Sequence, residues 1–266
     1  MKVKNKIIVV TGAGSGMGRE LTLQLVKKGA RVAIADINEQ SMAETAMLAG
    51  ESNVSIHKLN IADRASVEKF PEAVIKYHGC IDGIINNAGI IQPFEDVKDL
   101  DYEKIERIMN INFYGTLYMT KSFLPYLLKR PEAHIANVSS MGGFIPFPGQ
   151  TLYGASKAAI KLLTEGLYAE LRGTQVGVTV IYPGAVNTNI MSNSGVKSAT
   201  EEAESKKSQG NMALSAEKAA AIMINAIEKN KFRVMVGKDA RMLDILYRIN
   251  PRMAIKIIVK LMSKMR

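Results

Sequence analysis

"KIIVVTGAGSGMGRE", residues 6–20, joins a strand-like run to a helical one through a turn dense in glycine. A short apolar run rich in β-branched residues leads into Gly12, Gly14, Gly16 and Gly18, and a helical pattern follows. An apolar run without alternation fits a strand buried on both faces, as in a parallel sheet. Glycines let backbone N–H groups approach a ligand closely, and the start of the next helix offers positive partial charge to a pyrophosphate. The common dinucleotide spacing G-x-G-x-x-G does not fit, because from Gly12 the third glycine would fall on Met17. The spacing is instead T-G-x-x-x-G-x-G over residues 11–18, with Ser15 in its middle. The alternative is a glycine-rich turn with no ligand.

Moving outward, the same alternation of strand and helix continues. Residues 31–36 read as a second strand, 39–49 as a helix, and "NVSIHKLN" (53–60) as a third strand. A helix near 64–77, capped by Asp63, precedes a fourth strand, "DGIINNAG" (82–89). Helical stretches near 101–130 lead to a fifth strand, "HIANVSS" (134–140). A helix over 151–172, a sixth strand "GVTVIYPG" (177–184), a helix near 215–229 and a last strand "FRVMVG" (232–237) complete the series. Strands alternating with helices imply a parallel sheet covered on both faces. The polar stretch 192–211 reads as a mobile loop inside one domain, not as a linker.

Composition agrees with one large α/β domain. The 266 residues are 47% hydrophobic and 23% charged, as in ordinary globular proteins. A single cysteine, Cys80, excludes an internal disulfide. His57, His78 and His134 are far apart in sequence and have no cysteine partners, so no metal site is expected and each should be a surface or partly buried residue. No signal-like segment precedes the first strand, and no apolar run is long enough to span a bilayer. Cytoplasmic placement is the expectation. The net charge of +10 is concentrated at the end: residues 229–266 hold 11 Lys/Arg and 2 Asp. A nucleic-acid binder would spread its basicity otherwise, and none is expected.

Two further features carry chemistry. Asp36 ends the second strand, where a carboxylate can accept hydrogen bonds from both hydroxyls of an adenosine ribose and would repel a 2′-phosphate. Its successors, Ile37 and Asn38, bring no cation, which favours NAD over NADP; the alternative is that Asp36 only caps the next helix. In "TLYGASKAAIKLL" (151–163), Tyr153 and Lys157 stand one helical turn apart. With 9 Tyr and 24 Lys in the chain, about one such spacing arises by chance, so the pair alone leaves a solvated helix face open.

Taken together and in order, TGAGSGMG (11–18), NNAG (86–89), Asn112 in "NINFYG", Ser140 in "NVSSMGG", Tyr153 and Lys157 in YGASK, and "YPGAVNT" (182–188) resemble the short-chain dehydrogenase/reductase family over residues 5–237. The resemblance implies a Rossmann-like, doubly wound parallel sheet of seven strands in a single domain, residues 1–237, with 238–266 as a basic amphipathic helical extension. It implies a catalytic set of Asn112, Ser140, Tyr153 and Lys157. Tyr153 exchanges the hydroxyl proton, and Lys157 holds the nicotinamide ribose and, with the positive nicotinamide, lowers the phenol's pKa from its usual value near ~10. Ser140 holds the substrate oxygen and Asn112 a proton-relaying water. Ser140, not the adjacent Ser139, has the family's spacing of 13 residues before the tyrosine. The implied cofactor contacts are Gly12, Gly14, Ser15, Gly16, Met17, Gly18 and Asp36. Asn60 and Ile61 would touch adenine, Asn87, Ala88 and Gly89 the adenosine side, and Pro183, Gly184, Val186 and Thr188 the carboxamide. Asn60 departs from the Asp frequent there, which leaves an acceptor and adds donors.

The expected activity is interconversion of a hydrophobic secondary alcohol and its ketone, since "GGFIPFPG" (142–149) offers an apolar wall or else a loop packed on its own domain. A 3-oxoacyl thioester reductase and a non-catalytic, NAD-sensing or membrane-recruited protein are the rivals. By the same resemblance, helices near 101–130 and 151–172 pair across a dimer axis, which implies a homodimer or homotetramer. In the tail, Asn250 can cap and Pro251 start a helix, and Arg252, Lys256, Lys260 and Lys264 form a basic stripe. Residues 250–266 have three readings: docking on the domain or another subunit, peripheral contact with anionic membrane, or an acidic protein partner.

Overall fold

The computed structural model describes residues 1–196 and 213–263. The amino-terminal half runs β1 (Ile7–Thr11), α1 (Gly16–Lys27), β2 (Arg31–Asp36), α2 (Glu39–Ala49), β3 (Val54–Lys58), α3 (Arg64–His78) and β4 (Gly83–Asn86). Then follow α4 (Tyr102–Ile108), a π-helical segment (Met109–Gly115), α5 (Thr116–Leu127), β5 (Ala133–Val138), α6 (Thr151–Glu170) and β6 (Val176–Pro183). The chain continues through β7 (Val186–Asn187), the short α7 (Ile190–Asn193), β8 (Leu214–Ser215), α8 (Ala216–Glu228), β9 (Arg233–Val236), α9 (Lys238–Ile249) and α10 (Pro251–Met262).

Seven strands form one sheet in the order β3-β2-β1-β4-β5-β6-β9, with every pairing parallel. The order reverses direction between β1 and β4, the kind of switch point where open α/β sheets bind ligands. β1 is buried at all five positions and β5 at all six, as expected of strands covered on both faces. One core cluster joins β1, β2, α1 and α8 through residues such as Val10, Leu21, Ile34 and Ile224. A second fills the opposite face with Val9, Phe70, Ile84, Phe123 and Leu167.

Local signals in the sequence account for several boundaries. Asp63 caps α3 by accepting the Ala65 and Ser66 N–H groups, and Gly79 ends it at φ 87°. Asn250 caps α10 by accepting the Met253 N–H at 3.0 Å, with Pro251 opening the helix. The stretch read as a loop, 192–211, lies outside the described residues from 197 onward, and its first two residues end α7.

The histidines differ from expectation. His78 and His134 are buried, and His57 and His78 meet at Ser55 Oγ, with Nε2 distances of 2.8 and 2.7 Å. Strand β3 and helix α3 bring together what lies 21 positions apart. His134 Nε2 meets Thr179 Oγ1 at 2.8 Å, because neighbouring strands β5 and β6 pair Ala136 with Thr179. Among the described residues, no three His, Cys, Asp or Glu side chains are grouped to hold a metal.

Candidate active site

The carboxyl ends of β1, β2 and β4 meet at a cleft lined by Gly12, Ser15, Gly16, Met17, Asp36 and Asn60, together with Ile61, Asn87, Ala88, Gly89 and Thr188. The glycine loop owes its shape to close approaches. A Cβ on Gly18 would collide with the Gly12 carbonyl, so α1 can begin there only without a side chain. Gly12 and Gly16 adopt φ of +66° and +51°, a region that disfavours other residues. Ser15 is the cap residue of α1 but makes no capping bond, and no acidic residue occupies the first turn. The helix start therefore keeps its donors and positive partial charge for an anion.

Asp36 is tied into this loop. Its Oδ2 accepts the Gly14 N–H at 3.0 Å and its Oδ1 the Asn38 N–H at 3.1 Å, and each oxygen retains capacity for another donor. The alternative, a mere cap of α2, is not what the side chain does: Asn38 fills that place by accepting the Ser41 N–H. Asn87 Nδ2 donates to the Thr11 carbonyl at 3.0 Å, while its Oδ1 is buried without a partner among the described residues. An orphaned acceptor on a glycine cradle facing a helix start fits a dinucleotide.

Gly89 joins this cleft to the proposed chemistry. A Cβ there would stand 3.1 Å from both Asn112 Oδ1 and Lys157 Nζ. Lys157, buried on α6, donates to the Val138 carbonyl at 3.0 Å, and burial lowers its pKa to about 8. Its Nζ lies 5.9 Å from the centre of the Tyr153 ring. The Tyr153 phenol is pushed up by burial, and a hydrogen bond with Ser140 pulls it the other way. Burial, rather than Lys157, thus dominates the phenol's acidity in this arrangement.

The two neighbouring serines separate cleanly. Ser140 Oγ accepts the Gly142 N–H at 3.0 Å and faces Tyr153, whereas Ser139 Oγ donates to the Lys157 carbonyl at 2.7 Å and fastens α6. Asn112 is fully buried in the π-helical segment. Its side chain clamps Ile90, accepting the N–H and donating to the carbonyl, both at 2.9 Å, and also donates to Ser156 Oγ at 3.0 Å. With those bonds made, the amide fixes the Gly89–Ile90 backbone against α6. A water relay through this side chain, as the sequence suggested, would have to share it.

Residues 6–199 match a family model described as short chain dehydrogenase. The chain belongs to this family. It is 35% identical over 252 residues to the "Putative oxidoreductase SadH" of Mycobacterium tuberculosis, covering 92% of this chain and 91% of that protein. It is 36% identical over 187 residues to an uncharacterized oxidoreductase of Staphylococcus epidermidis, with 70% and 80% covered. Its fold matches that of a short chain dehydrogenase/reductase from Burkholderia phymatum, solved in complex with NAD, at a TM-score of 0.84 and 23% identity over 95% of this chain and 96% of that one. The protein is an oxidoreductase of the short chain dehydrogenase family, a family that uses NAD(P).

Not every residue expected in the site of this short chain dehydrogenase faces the cleft. Thr188 lines it, with Asn189, Ile190 and Asn193 beyond. Pro183 is buried at the end of β6, Val186 packs against the core, and Gly184 abuts the Asp239 carboxylate. Asp239, from the first turn of α9, accepts the Ala185 N–H at 2.7 Å and so braces this loop.

Three contributors escaped the sequence reading. Arg19 donates to the Gly14 carbonyl at 2.7 Å and pairs with Glu44 at 2.9 Å. Asn193 of α7 donates to Ser15 Oγ at 2.8 Å across the cleft. Gln92, wholly buried, accepts the Tyr153 N–H at 2.9 Å and donates to the Gly149 carbonyl at 2.8 Å. It caps the first turn of α6 from 61 positions away, where the local cap residue, Gln150, makes no such bond. A polar residue in the otherwise apolar "GIIQPF" was the only available signal.

Proposed function

We propose that the protein is an NAD-dependent dehydrogenase that interconverts a hydrophobic secondary alcohol and its ketone, with Tyr153 as the acid/base. The observation that supports this reading is the grouping of Ser140, Tyr153 and Lys157, with Lys157 next to Gly89, a residue that lines the cleft holding Asp36. A bound nicotinamide dinucleotide would supply the hydride acceptor for the alcohol carbon, or the hydride donor for the carbonyl carbon. Tyr153 Oη receives the hydroxyl proton in oxidation and gives it back in reduction. Ser140 Oγ donates a hydrogen bond to the substrate oxygen and favours the charge that develops there. The Lys157 ammonium, held by the Val138 carbonyl, adds a positive potential that favours the phenolate, against the cost of burial. Gly12, Gly14, Ser15, Gly16, Met17 and Gly18 would hold the pyrophosphate, and Asn60, Ile61, Asn87 and Ala88 would flank the adenosine.

The NAD preference rests on Asp36. Its carboxylate lines the cleft beside the glycine loop, where it could accept from ribose hydroxyls, and the next residue, Ile37, is an exposed aliphatic, not a cation. The apolar substrate class rests on the apolar sequence of residues 142–149 that follows Ser140, although Phe144 and Phe147 themselves pack against the buried side of α9 and α10. Absorbance at the reduced-nicotinamide band, followed with NAD or NADP and secondary alcohols from short aliphatic to steroid-sized, tests the whole reading. Turnover with NAD, lost in Tyr153→Phe while NAD still binds, is expected. Faster turnover with NADP would overturn the role of Asp36, and an active Tyr153→Phe protein would overturn the role of the phenol.

A further inference from the structure

Helices α9 and α10 form a hairpin whose inner side is well accounted for. Leu243, Ala254 and Ile258 are buried against Ile145, with Met141, Phe144 and Phe147 packed around them. The outer side is not. On α9, Met242, Ile245 and Ile249 are exposed at 60, 53 and 75%, at helical spacing. On α10, Met253, Ile257 and Leu261 make a second exposed apolar stripe at intervals of four. Cations run beside both stripes: Lys238, Arg241 and Arg248 on α9, and Arg252, Lys256 and Lys260 on α10. Both acids in the hairpin are engaged, one of them with Arg248, so that cation is partly offset. Asp239 accepts the Ala185 N–H, and Asp244 pairs with Arg233 at 3.3 Å and Arg248 at 2.9 Å.

We infer that the outer face of this hairpin is a docking surface for an anionic lipid bilayer, on which it lies without crossing. Exposed aliphatic stripes flanked by cations match an interface of acyl chains beneath anionic headgroups. No described helix is long and apolar enough to span a membrane, so the contact is parallel to the surface. A second copy of the chain fits less well, because a two-fold contact through this face would set its cations against themselves. The segment 197–212 offers little apolar surface to cover the stripes, since Met212 is its only apolar residue larger than alanine. The hairpin's inner side grips residues 141–147, so a membrane would lie beside the loop that follows Ser140.

Co-sedimentation of the full chain with vesicles tests this without reference to activity. One set is phosphatidylcholine alone and the other an equimolar mixture of phosphatidylglycerol and phosphatidylcholine. The expected result is pelleting with the anionic set, weakened at least tenfold in apparent affinity by high salt. Two variants accompany it, both altering exposed side chains: Met242→Ser with Ile245→Ser and Ile249→Ser, and Arg252→Gln with Lys256→Gln and Lys260→Gln. Unchanged circular dichroism verifies their fold, and both should lose most of the anionic-vesicle binding. A chain that stays in the supernatant with both vesicle types overturns the inference. So does equal binding by either variant, or a sedimentation mass that falls in the Ser variant because the stripes join two copies.

Discussion

Gln92 gives the sharpest test of how the catalytic helix is held. Replacement by methionine keeps volume and removes the amide, so no cavity opens and only hydrogen bonds are lost. The Tyr153 N–H loses the acceptor that caps α6, a change worth about 1 kcal/mol. The buried Gly149 carbonyl loses its donor, at a cost of about 1–3 kcal/mol. The Gln150 amide still reaches the Gln92 main-chain carbonyl at 2.8 Å, so that bond survives. Together the loss should be about 3 kcal/mol, which in a chain of this size lowers Tm by roughly 6–12 °C. Gln92→Glu would bury a carboxylate against the Gly149 carbonyl and should destabilise at least as much as Gln92→Met. Thermal unfolding by circular dichroism reads both variants without a substrate. A Gln92→Met protein melting within about 1 °C of the parent would refute the reasoning, because it would mean that water replaces both bonds at no cost.

The other predictions concern cofactor, loop and acid. Gly18→Ala should abolish dinucleotide binding in a calorimetric titration, since its Cβ would meet the Gly12 carbonyl; retained affinity within threefold would contradict the packing. Asp36→Ser combined with Ile37→Arg should raise the ratio of NADP to NAD kcat/KM by at least about tenfold, by removing a repelling carboxylate and adding a phosphate partner. His134 is buried with Nδ1 unpartnered among the described residues, and burial lowers its pKa to about 3. The unfolded chain, with an ordinary imidazole near ~6.5, then binds more protons between those values, so stability is full above pH ~6.5 and is lost as pH falls toward 3. Urea titrations at pH 7 and pH 5 should show a drop that is about 2 kcal/mol smaller in His134→Gln than in the parent, in which His78, also held low by burial, adds its own loss; an equal drop in both proteins would exclude a neutral buried His134.

Much of this architecture is legible from local chemistry. β1, the glycine loop and α1 follow from a buried apolar run and from positions where a Cβ collides or φ is positive. The caps at Asp63 and Asn250 follow from side chains that reach their own helix starts. What was hidden depends on distant partners. The expected helices near 101–130 are joined by a π-helical segment around Asn112, whose side chain is fixed by Ile90 and Ser156. Nothing within residues 109–115 announces that register change, because π-segments arise where tertiary contacts repay the distorted ladder. The histidines misled for a related reason. A polar residue in a strand suggests a solvent face, yet β5 is covered on both sides, and His134 is tolerated inside by bonding Thr179 across the sheet.

The tail shows the limit most clearly. Periodicity in residues 251–262 announces an amphipathic helix but offers two apolar stripes at intervals of four, Ala254 with Ile258 and Met262, and Met253 with Ile257 and Leu261. On hydrophobicity alone the second stripe is the stronger candidate for burial. The structure buries the first. Its alanine lets the backbone of α10 come close to Leu243 and Ile145, where the methionine of the other stripe would need more room. Docking was therefore chosen by shape, at the cost of leaving the more hydrophobic stripe outside. A helix that exposes an apolar stripe beside a row of cations has the chemistry of a surface that meets an anionic bilayer, which is why docking there is inferred.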